Sequence, residues 1–391
     1  MLSHLRMKGL LSFRETDLAL RSLNVLVGPN AAGKSNLIEA IALLRAVPED
    51  LPTAFRRGGF SEWLWKGINP ADSLTVETTL DAEQKPGSMG LRYRLTLDAQ
   101  GPGFTISEET LENAHPYPGY DKPYLYFEVR QGKGRLNVLQ KGRQVARKLH
   151  PDTLSPGQSV LRERRDPDQY PEVTAVAKAL GAIRIYREWN TGRESALRRP
   201  QATDLPNVFL EEDGANLALV LNRMERDGSL ERVERELNRF YPQFSRLSVQ
   251  IEANTAQLFV KEAGLGRLVP ATRLSDGTLR FLCLLAVLCH PTPPPILCLE
   301  EPEVGLHPDV LPQLAELLRA ASERVQVIVT THSDVLIDAL TDTPESVVVC
   351  ERGYDAETTC RRLDREELSE WLRDYRLGQL WRKGQLGGTR W

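Results

Sequence analysis

Cysteine is scarce, with five residues in 391, at Cys283, Cys289, Cys298, Cys350 and Cys360, and no two of them form a CxxC pair. An odd, scattered set excludes a disulfide framework. With three in apolar runs, it predicts buried free thiols in a reducing cytoplasm. The six histidines are equally dispersed, which excludes a zinc-like cluster. Charge of one sign is also lacking: the net charge is -3 and the pI about 6.2, so only a local basic patch could attract nucleic acid. The longest apolar run, Phe281 to Cys289, falls far short of a bilayer span. Met1 to Lys8 contains no apolar stretch of the signal-peptide kind. Sustained heptads and internal repeats are missing as well. A cytoplasmic protein without a membrane segment is expected. What is present is 41% hydrophobic and 26% charged residues, enough for a sizeable core in one large domain or two small ones.

Near the start, Ser22-Leu23-Asn24-Val25-Leu26-Val27 reads as a buried strand that stops at Gly28-Pro29-Asn30. Asn36 to Leu44 then has apolar positions on a helical repeat. From Ser73 to Ser107 the pattern alternates by two, and Tyr124–Val129 and Leu136–Leu139 continue it, which predicts a small antiparallel sheet. Tyr170–Leu180, Ala215–Asn222 and Ser229–Tyr241 read as helices, and Arg246–Ile251 with Ala256–Val260 as a strand pair. The last third alternates: helix Leu279–His290, strand Ile296–Leu299, helix Val310–Ala320, strands Val325–Val329 and Val347–Cys350. The expected class is α/β with a parallel sheet whose halves come from the two ends of the chain.

Gly28-Pro29-Asn30-Ala31-Ala32-Gly33-Lys34-Ser35 matches GxxxxGK[ST] in full, between a strand and a helix. Backbone amides of such a loop wrap a phosphate at a helix start. Lys34 can reach the β- and γ-phosphates, and Ser35 can ligate Mg²⁺. Acidic partners stand after the apolar strand Ile296–Leu299, in Glu300-Glu301-Pro302-Glu303. A strand ending in carboxylates delivers them to the carboxyl edge of a sheet.

These motifs, with Leu274-Ser275-Asp276-Gly277-Thr278-Leu279-Arg280, Leu306-His307-Pro308 and Thr331-His332-Ser333, resemble the ABC-type ATPases of the RecF, SMC and OLD groups. The nearest likeness is to compact bacterial AAA-family ATPases with this head, no long coiled coil and no C-terminal nuclease domain. Asn36 and the opening Lys8-Gly9-Leu10-Leu11-Ser12-Phe13 fit the same likeness, which is strong over residues 1–65 and 270–350 and weak between them. The resemblance implies an α/β P-loop NTPase with an ABC-type head, a mixed or antiparallel small sheet and a helical signature lobe. It implies ATP and Mg²⁺ as ligands, with Asn30, Ala31, Ala32, Gly33, Lys34, Ser35 and Asn36 around the phosphates. Ser35 and Glu300 would hold the metal, Glu300 replacing the commoner Asp. Glu301 would be the catalytic glutamate and His332 the histidine that senses the γ-phosphate. Ser275 and Gly277 match the signature loop, here LSDGT in place of LSGGQ, which in the family acts on nucleotide held by a second protomer. A cap on the following helix is a further reading of Ser275-Asp276. The glutamine that links the metal site to the helical lobe has no evident match; Arg56, Arg57 and Glu62 lie where it was sought.

The expected divisions are 1–150 for the first half of the head, 151–270 for a helical lobe or insertion, 271–350 for the second half, and 351–391 for a tail. Two basic clusters offer nucleic-acid contacts: Lys141, Arg143, Arg147, Lys148, Arg162, Arg164 and Arg165, and Arg184, Arg187, Arg193, Arg198 and Arg199 with Tyr186 and Trp189 among them. Interspersed acids make a solvated face an equal reading. The tail offers a short helix at Glu366–Tyr375, with Leu368, Trp371 and Leu372 on one side, and a Trp- and Gly-rich end that could close over the core, touch a second copy or dock a partner. About forty residues after Cys350 are too few for a nuclease domain with its own core. The expected function is an ATP-dependent homodimeric switch in DNA repair or phage defence, with DNA, another nucleic acid, or an effector or nuclease protein as partner. A slow ATP-gated regulatory module is the alternative, ahead of a transporter ATPase subunit.

Overall fold

The computed structural model describes all residues except 57, 82–88, 141–142, 150–154, 156 and 388–391. Arg57, Lys141 and the last residues of the tail, Trp391 included, therefore lie outside the described residues. The chain forms two compact units. One comprises Met1–Ile183, Glu345–Leu368 and the segment from Lys383; the other comprises Arg184–Pro344 and Ser369–Arg382.

The first unit contains an eight-stranded antiparallel sheet. Its strands lie in the order Phe13–Ala19, Leu2–Leu10, Ser73–Leu80, Leu91–Gln100, Gly103–Asn113, Leu125–Arg130, Lys133–Gln140, Arg143–Leu149. Period-two patterning builds it: Leu74, Val76, Thr78 and Leu80 on one strand and Tyr93, Leu95 and Leu97 on the next are buried, while the residues between them are partly exposed. On the other face opposite charges meet across strands, as in Arg6–Glu15, Arg94–Glu77 and Arg92–Glu112. Residues 2–19, not expected above as strands, supply two full strands joined at Leu11, whose φ is 51°.

A second sheet segment of this unit carries the phosphate loop. Leu23–Val27 is buried at all five positions and runs parallel to Val347–Arg352, which pairs antiparallel with Thr358–Arg362. An apolar run without alternation is what a strand covered on both faces requires. Helix Lys34–Ala46 follows the loop.

In the second unit Arg184–Tyr186, Ile296–Glu300 and Gln326–Thr331 are parallel neighbours. Helix Leu311–Ser322 connects the last two of these strands, and helix Asp276–Leu288 precedes the carboxylate strand. Hairpin Phe244–Glu252/Thr255–Glu262 and helices Leu217–Arg226 and Leu230–Phe240 complete the unit, with the Phe240 ring 4.8 Å from that of Phe281. The expected helix over 366–375 is reduced to Trp371–Asp374, no residue of which is buried. The apolar side chains of that stretch are too few to cover a core-facing stripe. The buried tail element is instead Leu377–Arg382, with Leu377, Leu380 and Trp381 inside and Arg376 and Arg382 paired to Asp338 and Asp334. No helix among the described residues is long and apolar enough to cross a membrane.

Away from the motifs, Glu109 is 1% exposed. It accepts from Tyr93 Oη at 2.9 Å, Ser159 Oγ at 2.5 Å and the Val160 amide at 3.0 Å. Burial raises its pKa above the usual carboxylate value, and the hydrogen bonds oppose the shift. Stability from this group is full below the unfolded pKa and is lost as pH rises through the folded one. As pH rises from the usual carboxylate range through the raised folded value, the parent should therefore lose more stability than Glu109→Gln, read as denaturant midpoints. Identical pH slopes for the two proteins would remove Glu109 from this role.

Candidate functional site

The phosphate loop is a left-handed turn held from beneath. Ala31 and Gly33 have φ of 63° and 92°, and the loop closes with Ala32 N–H donating to Pro29 C=O at 3.2 Å. Glycine is required at two points for different reasons. A Cβ on Gly28 would lie 2.3 Å from the Cys350 carbonyl oxygen, and one on Gly33 would lie 2.0 Å from Thr358 Oγ1. The first helical bond runs from Leu37 N–H to Gly33 C=O, and no acidic residue stands in the helix's first turn. The amides ahead of that bond are those a helix does not use internally, which makes this end suited to an anion.

Lys34 is 5% exposed, and its Nζ donates to the carbonyls of Gly28 at 2.8 Å and Pro29 at 3.1 Å. Asn30, Ala31 and Ser35 are exposed at the rim. Below the loop, Thr358 Oγ1 is 2.6 Å from Ser12 Oγ and 3.1 Å from Ala32 O. Asn36 Nδ2 donates to Ser12 Oγ at 2.8 Å, and the Thr358 amide to Ser12 C=O at 2.7 Å. Ser12 and Thr358 carried no signal in the sequence beyond the quoted Ser12, because neither belongs to the GxxxxGK[ST] pattern. Next to them Cys350 and Cys360 are cross-strand partners with sulfurs 3.8 Å apart.

The second unit holds the acidic and histidine motifs. Glu300 ends its strand opposite Thr330, and Glu301 follows with φ 44°, in the left-handed region that disfavours a glutamate. Two contacts hold it there: its amide donates to Thr330 C=O at 3.0 Å and is 3.2 Å from Thr330 Oγ1. Its carboxylate Oε1 is 3.3 Å from His332 Nε2, so these two motif residues meet. Both side chains are partly exposed. Glu303 supports the same turn from inside, accepting from Thr331 Oγ1 at 2.5 Å and the His332 amide at 2.9 Å. Burial raises its pKa above the usual carboxylate range. Glu303 was read as part of the acidic motif without this duty, since the Thr331 partner is 28 positions away.

Arg184–Tyr186 runs beside the carboxylate strand, with Tyr186 opposite Leu299, so the next residue falls beside Glu300. Arg187 Nη1 is 3.5 Å from Glu300 Oε2. A recess of about 390 Å³ lies here, lined by Arg187, Trp189, Arg280, Glu300, Glu301 and Val304. Arg56 and Glu62, where lobe coupling was sought, pair with Asp50 and Lys66. Ser275 is the N-cap of helix Asp276–Leu288, its Oγ accepting from Thr278 N–H at 3.1 Å, and Gly277 follows in the first turn.

In the second basic cluster the two aromatics and Arg198 are turned inward, which corrects the stacking reading, while Arg187, Arg193 and Arg199 stay exposed. Tyr186 and Trp189 are buried, and Tyr186 Oη donates to Leu210 C=O at 2.7 Å. Arg187 faces Glu300, Arg184 lies over the Phe209 ring, Arg199 pairs with Glu194, and Arg198 is buried. Aromatic rings closed into a core are not open to bases. In the first cluster Arg162 and Arg165 pair with Asp50 and Glu49, while Arg147 and Lys148 are exposed.

This fold, with its phosphate loop and strand-end carboxylates, is that of an ATP-binding and ATP-hydrolysing P-loop ATPase. The model of the family described as "AAA domain, putative AbiEii toxin, Type IV TA system" matches residues 23–338, and the chain belongs to that family. A relative from Helicobacter pylori (strain ATCC 700392 / 26695), an "ATP/GTP phosphatase", is 21% identical over 362 residues, covering 87% of each chain. Two crystal structures share the fold. An Smc head bound to the C-winged helix domain of ScpA has a TM-score of 0.58 at 15% identity, over 94% of this chain and 99% of that one. An Smc head with an extended coiled coil, bound to the C-terminal domain of ScpA from Pyrococcus furiosus, has a TM-score of 0.55 at 14% identity, over 95% and 98%.

The support beneath the loop is testable. Thr358→Val keeps the shape and removes the hydroxyl from Ser12 and Ala32, a loss of about 1–3 kcal/mol for buried polar groups. ATP affinity, by calorimetry, is expected to fall about tenfold, the equivalent of about 1.4 kcal/mol. Unchanged affinity in the folded variant would show that Thr358 does not support the loop.

Proposed function

We propose that the chain hydrolyses ATP held by its phosphate loop, with the signature loop of a second copy completing the site, and that ATP binding makes the dimer and hydrolysis releases it. Lys34 exchanges its loop carbonyls for the β- and γ-phosphate oxygens. Glu301 accepts a proton from the attacking water, and His332, within reach of that carboxylate, meets the γ-phosphate. Ser275 and the Gly277 amide, at a helix start, approach the same phosphate from the other chain. The observation that carries this reading is Glu301, kept in a left-handed conformation by Thr330 and met at its carboxylate by His332. Strained backbone of this kind persists where its surroundings fix it, and it concentrates at active sites.

Ser35 and Glu300 offer a hydroxyl and a carboxylate, the hard oxygen donors that suit Mg²⁺. At 3.5 Å, Arg187 leaves Glu300 with acceptor capacity for such an ion. Bound there, the cation would neutralise charge on the β- and γ-phosphates.

As to biology, the family's description as a putative toxin of a type IV toxin–antitoxin system favours defence. The Smc heads bound to ScpA domains favour a protein effector that reads the dimer, with DNA or a DNA-bound protein as the thing sensed. Expected divisions at 1–150, 151–270, 271–350 and 351–391 carry over as a proposal for how the head, lobe and tail share these tasks.

Glu301→Gln is expected to bind ATP, hydrolyse it about 10²–10⁴-fold more slowly, as loss of a general base implies, and accumulate as an ATP-bound dimer in light scattering. Lys34→Ala should lose most ATP affinity by calorimetry. Mixing Lys34→Ala with Ser275→Arg rebuilds one complete composite site per heterodimer, so part of the hydrolysis should return. A Glu301→Gln protein that stays monomeric at saturating ATP, with no recovery in the mixture, would sink the composite-site reading.

A further inference from the structure

Arg198 is 7% exposed, and its guanidinium is spent almost wholly on one loop. Nε donates to Thr191 C=O at 2.8 Å. Nη1 donates to the carbonyls of Ala271 at 3.2 Å, Thr272 at 3.4 Å and Leu274 at 2.7 Å. Nη2 donates to Asp276 Oδ1 at 2.5 Å. These acceptors span the residues that lead into the cap Ser275 and the first residue of the signature helix. Only a planar fork with five N–H donors can serve carbonyls on one side and a carboxylate on the other. Without it, buried Leu274 would lose the donor to its carbonyl, and the turn would rest on the Leu274 N–H bond to Ala271 C=O.

The position of Asp276 also acquires a reason. The family pattern has glycine at this place in the signature, and here the carboxylate gives the guanidinium a charged partner in the first helical turn, where a negative charge is favoured. Asp276 is 66% exposed on its side chain while Arg198 is 9% exposed. The pair is therefore anchored on the arginine side and open on the loop side.

We infer that Arg198 is a positioning residue for the signature loop: it fixes residues 271–276 so that Ser275 and the Gly277 amide are presented in one arrangement to a nucleotide phosphate. It touches no substrate itself and acts through the loop. The inference rests on the composite-site reading for its effect on turnover, and on the hydrogen bonds alone for its effect on the loop.

The test uses the full chain with three substitutions, Arg198→Met, Arg198→Lys and Asp276→Asn, the last an exposed change that spares the carbonyl contacts should Arg198→Met fail to fold. Hydrogen exchange of the 271–278 amides in the ATP-free protein reads loop order without any need for assembly. Arg198→Met should exchange there at least about tenfold faster, the equivalent of about 1.4 kcal/mol of lost local protection. Its kcat should fall about tenfold or more with ATP affinity within about twofold of the parent, because the phosphate loop is intact. Arg198→Lys should recover part of kcat, since an ammonium can meet Asp276 but cannot fork to the carbonyls. Asp276→Asn should lie between the parent and Arg198→Met. Unchanged exchange across 271–278 in both Arg198→Met and Asp276→Asn overturns the inference. So does faster exchange with unaltered kcat and unaltered ATP-dependent dimer in the Glu301→Gln background. If Glu301→Gln itself never dimerises, the composite site is what fails, and the exchange data still decide whether Arg198 holds the loop.

Discussion

The contact of Thr358 with the carbonyl of Ala32 is the constraint on which the phosphate site depends. A loop of backbone amides can cradle an anion only if it does not collapse onto its own carbonyls, and its left-handed residues, Ala31 and Gly33, have no polar side chain to brace it. The brace comes from a strand far along the chain, through a hydroxyl shared with Ser12. That arrangement leaves no volume for a Cβ on Gly33. The glycine, the threonine and the serine are thus one unit, though only the glycine belongs to a recognisable pattern. Pairing of Leu23–Val27 with Val347–Arg352 sets the register that brings them together, and the same pairing places the Cys350 carbonyl against Gly28.

The second unit solves a different problem, that of holding charge at a strand end. Three parallel strands present Arg187, then Glu300 and Glu301, then Thr331 and His332 at one edge. The buried Glu303 receives the Thr331 hydroxyl and the His332 amide and so fixes the turn from which the imidazole projects. Each acidic residue of the Glu300-Glu301-Pro302-Glu303 run then has its own neighbour: a guanidinium, an imidazole, or a hydroxyl with an amide. A stretch that looks like a simple concentration of negative charge is divided by geometry into distinct environments.

Much of this was legible because local patterns and local chemistry coincide. The all-apolar strand before Gly28 and the period-two pattern from Ser73 to Ser107 read directly as strands. The ordered motifs point to the class of ATPase without any help from tertiary contacts. Boundaries moved where caps decide them: the signature helix begins at Asp276, ahead of the apolar run, because Ser275 caps it. Residues 2–19 were read for a motif and not as strands, since their alternation is broken by Gly9 and the left-handed Leu11. Arg198 misled because charge in sequence does not reveal burial; it looks like part of a surface patch until its acceptors, more than 70 positions away, are known. Thr358 and Arg187 were out of reach for the same reason, each owing its place to strand pairing and not to spacing.

The bond between Thr358 and Ala32 spans 326 positions, and this sets an order of events during synthesis. In a growing chain Gly28–Ser35 emerges long before Thr358, whose hydroxyl braces it. Until then the nascent protein carries the nucleotide motif without its brace. A ligand that binds only the finished arrangement stabilises it by mass action, so abundant nucleotide favours completed chains over interrupted ones. Chains cut short before the closing strand retain the whole motif and lack what holds it open.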